Sequence, residues 1–136
     1  MILTFKQYDI VMVDLPKERG SKKQAGVRPA VIISNDVGNM YSPTLLVMPI
    51  TSKIKSLHQP THTRIKRDKW NGLSDDSMVL GEQTTTVDKV SARKIGEIHD
   101  EGLKRQVLAC FLNAAMYKDS SATEVIKLKG GKICTA

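Results

Sequence analysis

The chain has 136 residues, with 21 Lys and Arg against 14 Asp and Glu, a formal net charge of +7. That length fits one domain of roughly 100–200 residues, and 40% hydrophobic with 26% charged residues excludes a disordered chain. No apolar run reaches the roughly 18 residues of a membrane span, and Lys6, Gln7 and Asp9 interrupt the N-terminal stretch too early for an export signal, so a cytoplasmic protein with no membrane contact is expected.

Residues 9–15 (DIVMVDL) are apolar on both faces apart from Asp14 and predict a central strand ended by Pro16. Residues 17–26 are charged and hold two glycines, which predicts a surface loop. RPAVIIS at 28–34 predicts a second buried strand, with Pro29 confined to its start or an edge. Residues 35–43 read as a turn-rich connection, and TLLVMPI at 44–50 as a third strand. After a polar loop at 51–60, residues 61–67 alternate. Thr61, Thr63 and Ile65 fall on one face, and His62, Arg64 and Lys66 on the other. Asn71-Gly72 marks a turn. SMVLGEQ at 77–83 predicts a further strand that 84–87 prolong, and 94–98 a last short one.

From Asp100 the hydrophobic period changes. Leu103, Val107, Phe111 and Ala115 recur every four residues, with Leu108 and Leu112 beside them, as in an amphipathic helix. Asp100 suits its N-cap, and Glu101 the positive end of its dipole. One domain over 1–118 is expected, followed by a loose C-terminal extension at 119–136 that contains Gly130-Gly131. Short strands followed by one helix, without βαβ alternation, predict a mainly β (α+β) fold: a small antiparallel barrel or curled sheet capped by the helix.

Most catalytic devices are missing. Of the two cysteines, Cys110 sits in the apolar helical pattern and reads as a buried small hydrophobe, and no Cys-x-x-Cys pair exists. His58 and His62 lie four apart, but Pro60 between them forbids the helix on which such a pair would bind a metal. No metal site, nucleophile elbow or phosphate-binding glycine loop is expected. Aromatic residues are only 4%, so a nucleic acid would be held by its phosphates and polar edges rather than by stacking.

What remains is a polar and basic set at strand ends. Arg28 opens the second strand, Thr51 closes the third and is followed by Ser52 and Lys53, and Glu82-Gln83 close a later one. If the second and third strands pair antiparallel, Arg28 and Thr51 are neighbours at one rim. A guanidinium fork and a hydroxyl together could stabilise charge on a phosphorane without a metal. The plainer account makes Arg28 half of a structural ion pair and Thr51 a β-favourable strand residue.

At these residues the chain resembles the MazF/PemK family of toxin endoribonucleases. The matching stretches are DIVMVDL, GSKKQAGVRPAVIISND, YSPTLLVMPITSK, the PTH at 60–62, GLSDDSMVLGEQ and TVDKVSARKIGEIHDE, in family order over residues 8–117. The resemblance implies a small Src-homology-3-like barrel of the CcdB/PemK type, a homodimer, and metal-free, sequence-selective cleavage of single-stranded RNA, mainly messenger RNA. It implies attack of the RNA 2′-hydroxyl on its own phosphate, leaving a cyclic phosphate and a 5′-hydroxyl. Carried onto this chain, the arginine of G-x-R-P is Arg28 and the threonine of P-I-T is Thr51, the implied catalytic pair. Ser21, Lys23, Gln24, Ser52, Lys53, His62, Arg64, Glu82 and Gln83 are the candidates for the RNA groove. A cognate antitoxin would lay an acidic C-terminal segment over that groove, and operator DNA would be met only through the antitoxin.

Two departures stand out. The first loop reads Gly20-Ser21-Lys22-Lys23-Gln24, one residue longer than the family's Gly-Ser-Glu-Gln and basic where the family is acidic. After Glu82-Gln83 the chain reads Thr84-Thr85-Thr86-Val87, without the family's arginine. Two other functions use related chemistry or the same barrel. One is a non-catalytic nucleic-acid-binding relative, for which Lys22-Lys23 speaks. The other is a gyrase poison of the CcdB type, against which speaks a C-terminus without tryptophan.

Overall fold

Strand β1 (Asp9–Leu15) lies inside an antiparallel sheet, as its two apolar faces require. The computed structural model describes residues 4–116 together with the backbone of strands β8 (Ile126–Lys129) and β9 (Lys132–Thr135). The other strands are β2 (Gly26–Ile32), β3 (Thr44–Thr51), β4 (His62–Ile65), β5 (Ser77–Leu80), β6 (Thr85–Asp88) and β7 (Arg93–Glu97). They pair in the order β4-β5-β3-β2-β1-β7, with β6 also on β3, and every pairing is antiparallel.

Strand β3 makes the sheet curl. Its residues Thr44 to Val47 pair with β6, while Ile50 and Thr51 pair with β5. Between them lies Pro49, which has no amide hydrogen to offer a ladder. The outer edge of β3 therefore changes partner there, and the sheet bends into a half-barrel. Pro29 obeys the same constraint. It sits within β2, but the β2–β3 pairing begins at Ala30, so on that side Pro29 is at an edge.

The two faces of β1 feed two cores, following the two-residue period of a strand. Ile10 joins Val31, Met48, Ile50 and Val79 in one, and Val11, Val13 and Leu15 join Ala30, Ile32, Leu45 and Val47 in the other. Helix α2 (Glu101–Ala115) covers the first core with Val107 and Cys110. The Asp100 side chain accepts from the Leu103 amide at 2.8 Å, the expected N-cap. Each aliphatic side chain fully buried here contributes about 1.5–3 kcal/mol.

Three expectations change. Residues 35–43 hold a six-residue helix, α1 (Asp36–Tyr41), capped by the Asn35 side chain accepting from the Gly38 amide at 2.9 Å. The helix is too short to show a hydrophobic period. The strand expected over 77–83 stops at Leu80, and Gly81–Gln83 form a 3-10 turn. Residues 84–87 do not prolong it, because Thr85–Asp88 pair separately with β3. In the extension read as loose, β8 and β9 pair antiparallel, consistent with the strand-like alternation of Ile126-Lys127-Leu128-Lys129. The remaining tail residues lie outside the described ones. Among the described residues no helix is long and apolar enough to cross a membrane.

Candidate active site and nucleic-acid interface

The β2–β3 register pairs Ala30 with Pro49, Val31 with Met48 and Ile32 with Val47. Carried two residues past the last observed pair, that register would set Arg28 against Thr51. Arg28 is half-buried, and its Nε donates to the Ala25 carbonyl at 2.7 Å. That bond orients the guanidinium and leaves its two terminal nitrogens for a ligand. Among the described residues no carboxylate pairs with Arg28, so the ion-pair account of this residue is not realised. Thr51 is 6% exposed. Its Oγ1 accepts from the Lys53 amide at 3.1 Å, which keeps the hydroxyl hydrogen available to donate.

Arg28 lines two cavities. The larger, about 740 Å³, also takes Lys17, Lys23, Gln24 and Asp14 and lies on the side of the first loop. The smaller, about 230 Å³, takes Ser52, Ser74 and Asp75 against Pro29, Ile50 and Leu73. Ser74 and Asp75 were not among the expected site residues. They fall inside the GLSDDS stretch, but nothing in their local pattern marks them as facing Arg28.

The remaining candidates form a polar network behind this rim. The Gln24 amide donates to Gln83 Oε1 at 2.7 Å, tying the first loop to the 3-10 turn. Glu82 on that turn meets His62 Nε2 at 2.7 Å, and His62 Nδ1 meets the Ser56 carbonyl at 3.0 Å. Both partners of the ring are oxygen acceptors. Partial burial pushes the Glu82 carboxyl up, but hydrogen bonds from His62, its own backbone and Thr61, with the His62 charge, outweigh it and hold the carboxyl below its ordinary value. The His62 side chain is 7% exposed, so it braces the 51–60 loop rather than opening onto solvent.

The other candidates are placed more loosely. Ser21 accepts from the Lys23 amide at 3.2 Å, and Lys23 pairs with Glu18 at 3.3 Å on an exposed surface, where such a pair contributes little. Ser52 reaches the smaller cavity, and Lys53 is exposed beside it. Arg64 pairs with Asp76 at 3.3 Å. The hydrogen bond from the Arg67 amide, helped by Arg64 and Lys66, holds the Asp76 carboxyl below its usual value against an opposing desolvation. His99, alone in sequence, stacks on Trp70 with centroids 4.2 Å apart. Among the described residues no group of three or more His, Cys, Asp and Glu side chains is placed to hold a metal ion.

The comparisons with known proteins agree with this architecture. Residues 6–113 match the model of the PemK-like, MazF-like toxins of type II toxin-antitoxin systems. The chain is similar to the endoribonuclease MazF of Staphylococcus saprophyticus, with 42% identity over 97 residues, 71% of this chain and 79% of the relative. Its fold is similar to that of a mycobacterial endoribonuclease solved in complex with its cognate antitoxin, with TM-score 0.64, 17% identity, 82% of this chain and 95% of that one. It is also similar to MazF of Deinococcus radiodurans, with TM-score 0.63, 21% identity, 80% of this chain and 96% of that one. The match across most of the chain and the 42% identical relative settle the membership: this chain belongs to the PemK-like, MazF-like toxin family of type II toxin-antitoxin systems.

Proposed function

We propose that the chain is an endoribonuclease toxin that cuts single-stranded RNA at the Arg28–Thr51 rim without a metal ion. The observation that carries the reading is Arg28, free of any carboxylate partner among the described residues, lining a cavity with Lys17 and Lys23. RNA supplies its own nucleophile. The 2′-oxygen forms a bond to the adjacent phosphorus as the bond to the 5′-oxygen breaks. The 2′-proton is lost, the 5′-oxygen gains one, and a cyclic phosphate and a 5′-hydroxyl remain. The protein has only to hold that line of attack and to stabilise the phosphorane's charge. Arg28 does so with its terminal nitrogens, and Thr51 with its hydroxyl hydrogen. Gln24, Gln83, Glu82 and His62 hold the two loops around the groove, where unstacked bases present their edges.

The same groove is the place for the acidic segment of a cognate antitoxin, whose affinity should fall as salt screens the charges. A homodimer acting in the cytoplasm, with operator DNA reached through the antitoxin, completes the proposal. The test is purified protein with unstructured RNA in EDTA, followed by end-group analysis. Cleavage that leaves cyclic phosphate in wild type and is lost in Arg28→Ala supports the reading. Equal cleavage by the variant removes Arg28 from the chemistry. Tight binding that leaves the RNA intact makes the protein a non-catalytic binder.

A further inference from the structure

The smaller cavity beside Arg28 carries a carboxylate. Asp75 lines it with Ser52 and Ser74, and Ile50, Leu73 and Ile95 give it an apolar side. The larger cavity on Arg28 carries Lys17 and Lys23 beside Asp14. Phosphate belongs in the larger cavity, where Lys17, Lys23 and Arg28 outnumber Asp14, rather than in the smaller one, where Asp75 offsets Arg28. An uncharged flat group with an apolar body and a polar edge fits the smaller cavity, and a nucleobase is such a group.

Two adjacent aspartates on this loop have different tasks. Asp76 accepts from the Arg67 amide at 2.8 Å and pairs with Arg64, so it holds the loop to β4. Asp75 is exposed, and among the described residues its carboxylate accepts only from the Ser74 hydroxyl at 3.4 Å. Most of its acceptor capacity is open. The Ser77 hydroxyl donates to the Asp75 carbonyl at 2.8 Å and fixes the backbone behind it.

Resting on the reading of this site as an RNA-cutting one, we infer that the smaller cavity seats a base flanking the scissile phosphate. Asp75 selects there for bases that donate through an exocyclic amine. A carboxylate only accepts hydrogen bonds, and it takes them well from an amino group such as that of cytosine. Adenine and guanine also offer amines. Uracil offers one N–H between two carbonyl oxygens, and those oxygens face the carboxylate's own.

The experiment uses one long defined RNA, cut by the full chain, by Asp75→Asn and by Asp75→Ala, with the rate read at every cut. At one position beside the cut, wild type should disfavour uracil by about tenfold or more, the size of a good base-edge contact. Both variants should lose that bias, and Asp75→Asn, whose amide can donate to a carbonyl, should move towards uracil. An unchanged base profile in both variants overturns the role of Asp75. So does a loss that is equal at all sites, which is displacement of the loop and not selection. A wild type that cuts no RNA brings down the reading of the site itself, so the two failures are separate.

Discussion

Arg28 and Thr51 lie two residues beyond Ala30 and Pro49, the last observed pair of the β2–β3 ladder, on the two strands it joins. Each is held from behind by a different strand, Arg28 by Val13 of β1 and Thr51 by Met78 of β5. The two strands are fixed on their far sides and unpaired between, which opens the cavity lined by Arg28, Pro29, Ile50 and Ser52. Rigid strand ends, rather than a mobile loop, thus position both groups.

Substitution at this pair should separate chemistry from folding. Arg28→Ala should lower single-turnover cleavage by about 10²–10³, the usual cost of one charge-stabilising donor. Arg28→Lys keeps the charge but loses the fork and the bond to Ala25, so it should recover only part of the rate. The urea midpoint of both should stay near that of wild type, since Arg28 is half-exposed and has no ion pair among the described residues. Thr51→Val keeps the shape of the strand and should lower the rate. It also leaves the Lys53 amide without its acceptor, at a cost of about 1 kcal/mol in stability.

Glu82 should make stability depend on pH in the acid range. Its folded-state carboxyl lies below its ordinary value. A group depressed in this way stabilises the fold above the unfolded value, and the contribution disappears as pH falls through the depressed folded value. Glu82→Gln should therefore be less stable than wild type at pH 7, and the difference should shrink as the solution is acidified below pH 4. Urea melts at both ends of that range measure it. A gap that widens on acidification would show that Glu82 is not the group responsible.

The antiparallel pairing that underlies the expected site was readable from the sequence, and for a definable reason. Two buried strands that pair antiparallel leave little freedom of register, so Arg28 and Thr51 could be placed as neighbours from their positions at opposite strand ends. The misses share a cause. The 3-10 turn at Gly81–Gln83 depends on helix α2, which packs against it from later in the chain. His62 alternates as a solvent-facing residue would, but a loop and Glu82 cover it. Asp75 acquires its place only when β2 and β3 diverge. In each case a tertiary neighbour decided what local pattern could not.

Gly81 should tolerate no side chain. A Cβ there would stand 2.5 Å from the Cys110 carbonyl oxygen and 2.9 Å from that of Thr61, and both obstacles are backbone. Gly81→Ala must push the turn and helix α2 apart, at a cost of about 1–3 kcal/mol by analogy with overpacked cores. The displacement would carry Glu82 and Gln83 away from His62 and Gln24. Stability should fall, and RNA affinity should fall with it even under conditions where the variant is fully folded. A folded variant with wild-type affinity would detach the turn from the groove.

The thiol of Cys110 reports on that same contact. It is 2% exposed, and burial, then the charge of Glu82, push its pKa up to about 11. Alkylation needs the thiolate and a path to it, and this site denies both. Iodoacetamide at pH 8 should leave the Cys110 peptide unmodified in the native protein and label it in urea, as read by mass spectrometry. In Gly81→Ala the helix is forced off the turn, so native labelling of Cys110 should accelerate. Glu82→Gln removes the nearby charge without opening a path, so it should leave the thiol protected. If both variants protect Cys110 as well as wild type does, the turn and the helix are not mechanically joined at Gly81. If native wild type labels at the rate of a free thiol, the packing of α2 on the sheet is looser than its buried face requires.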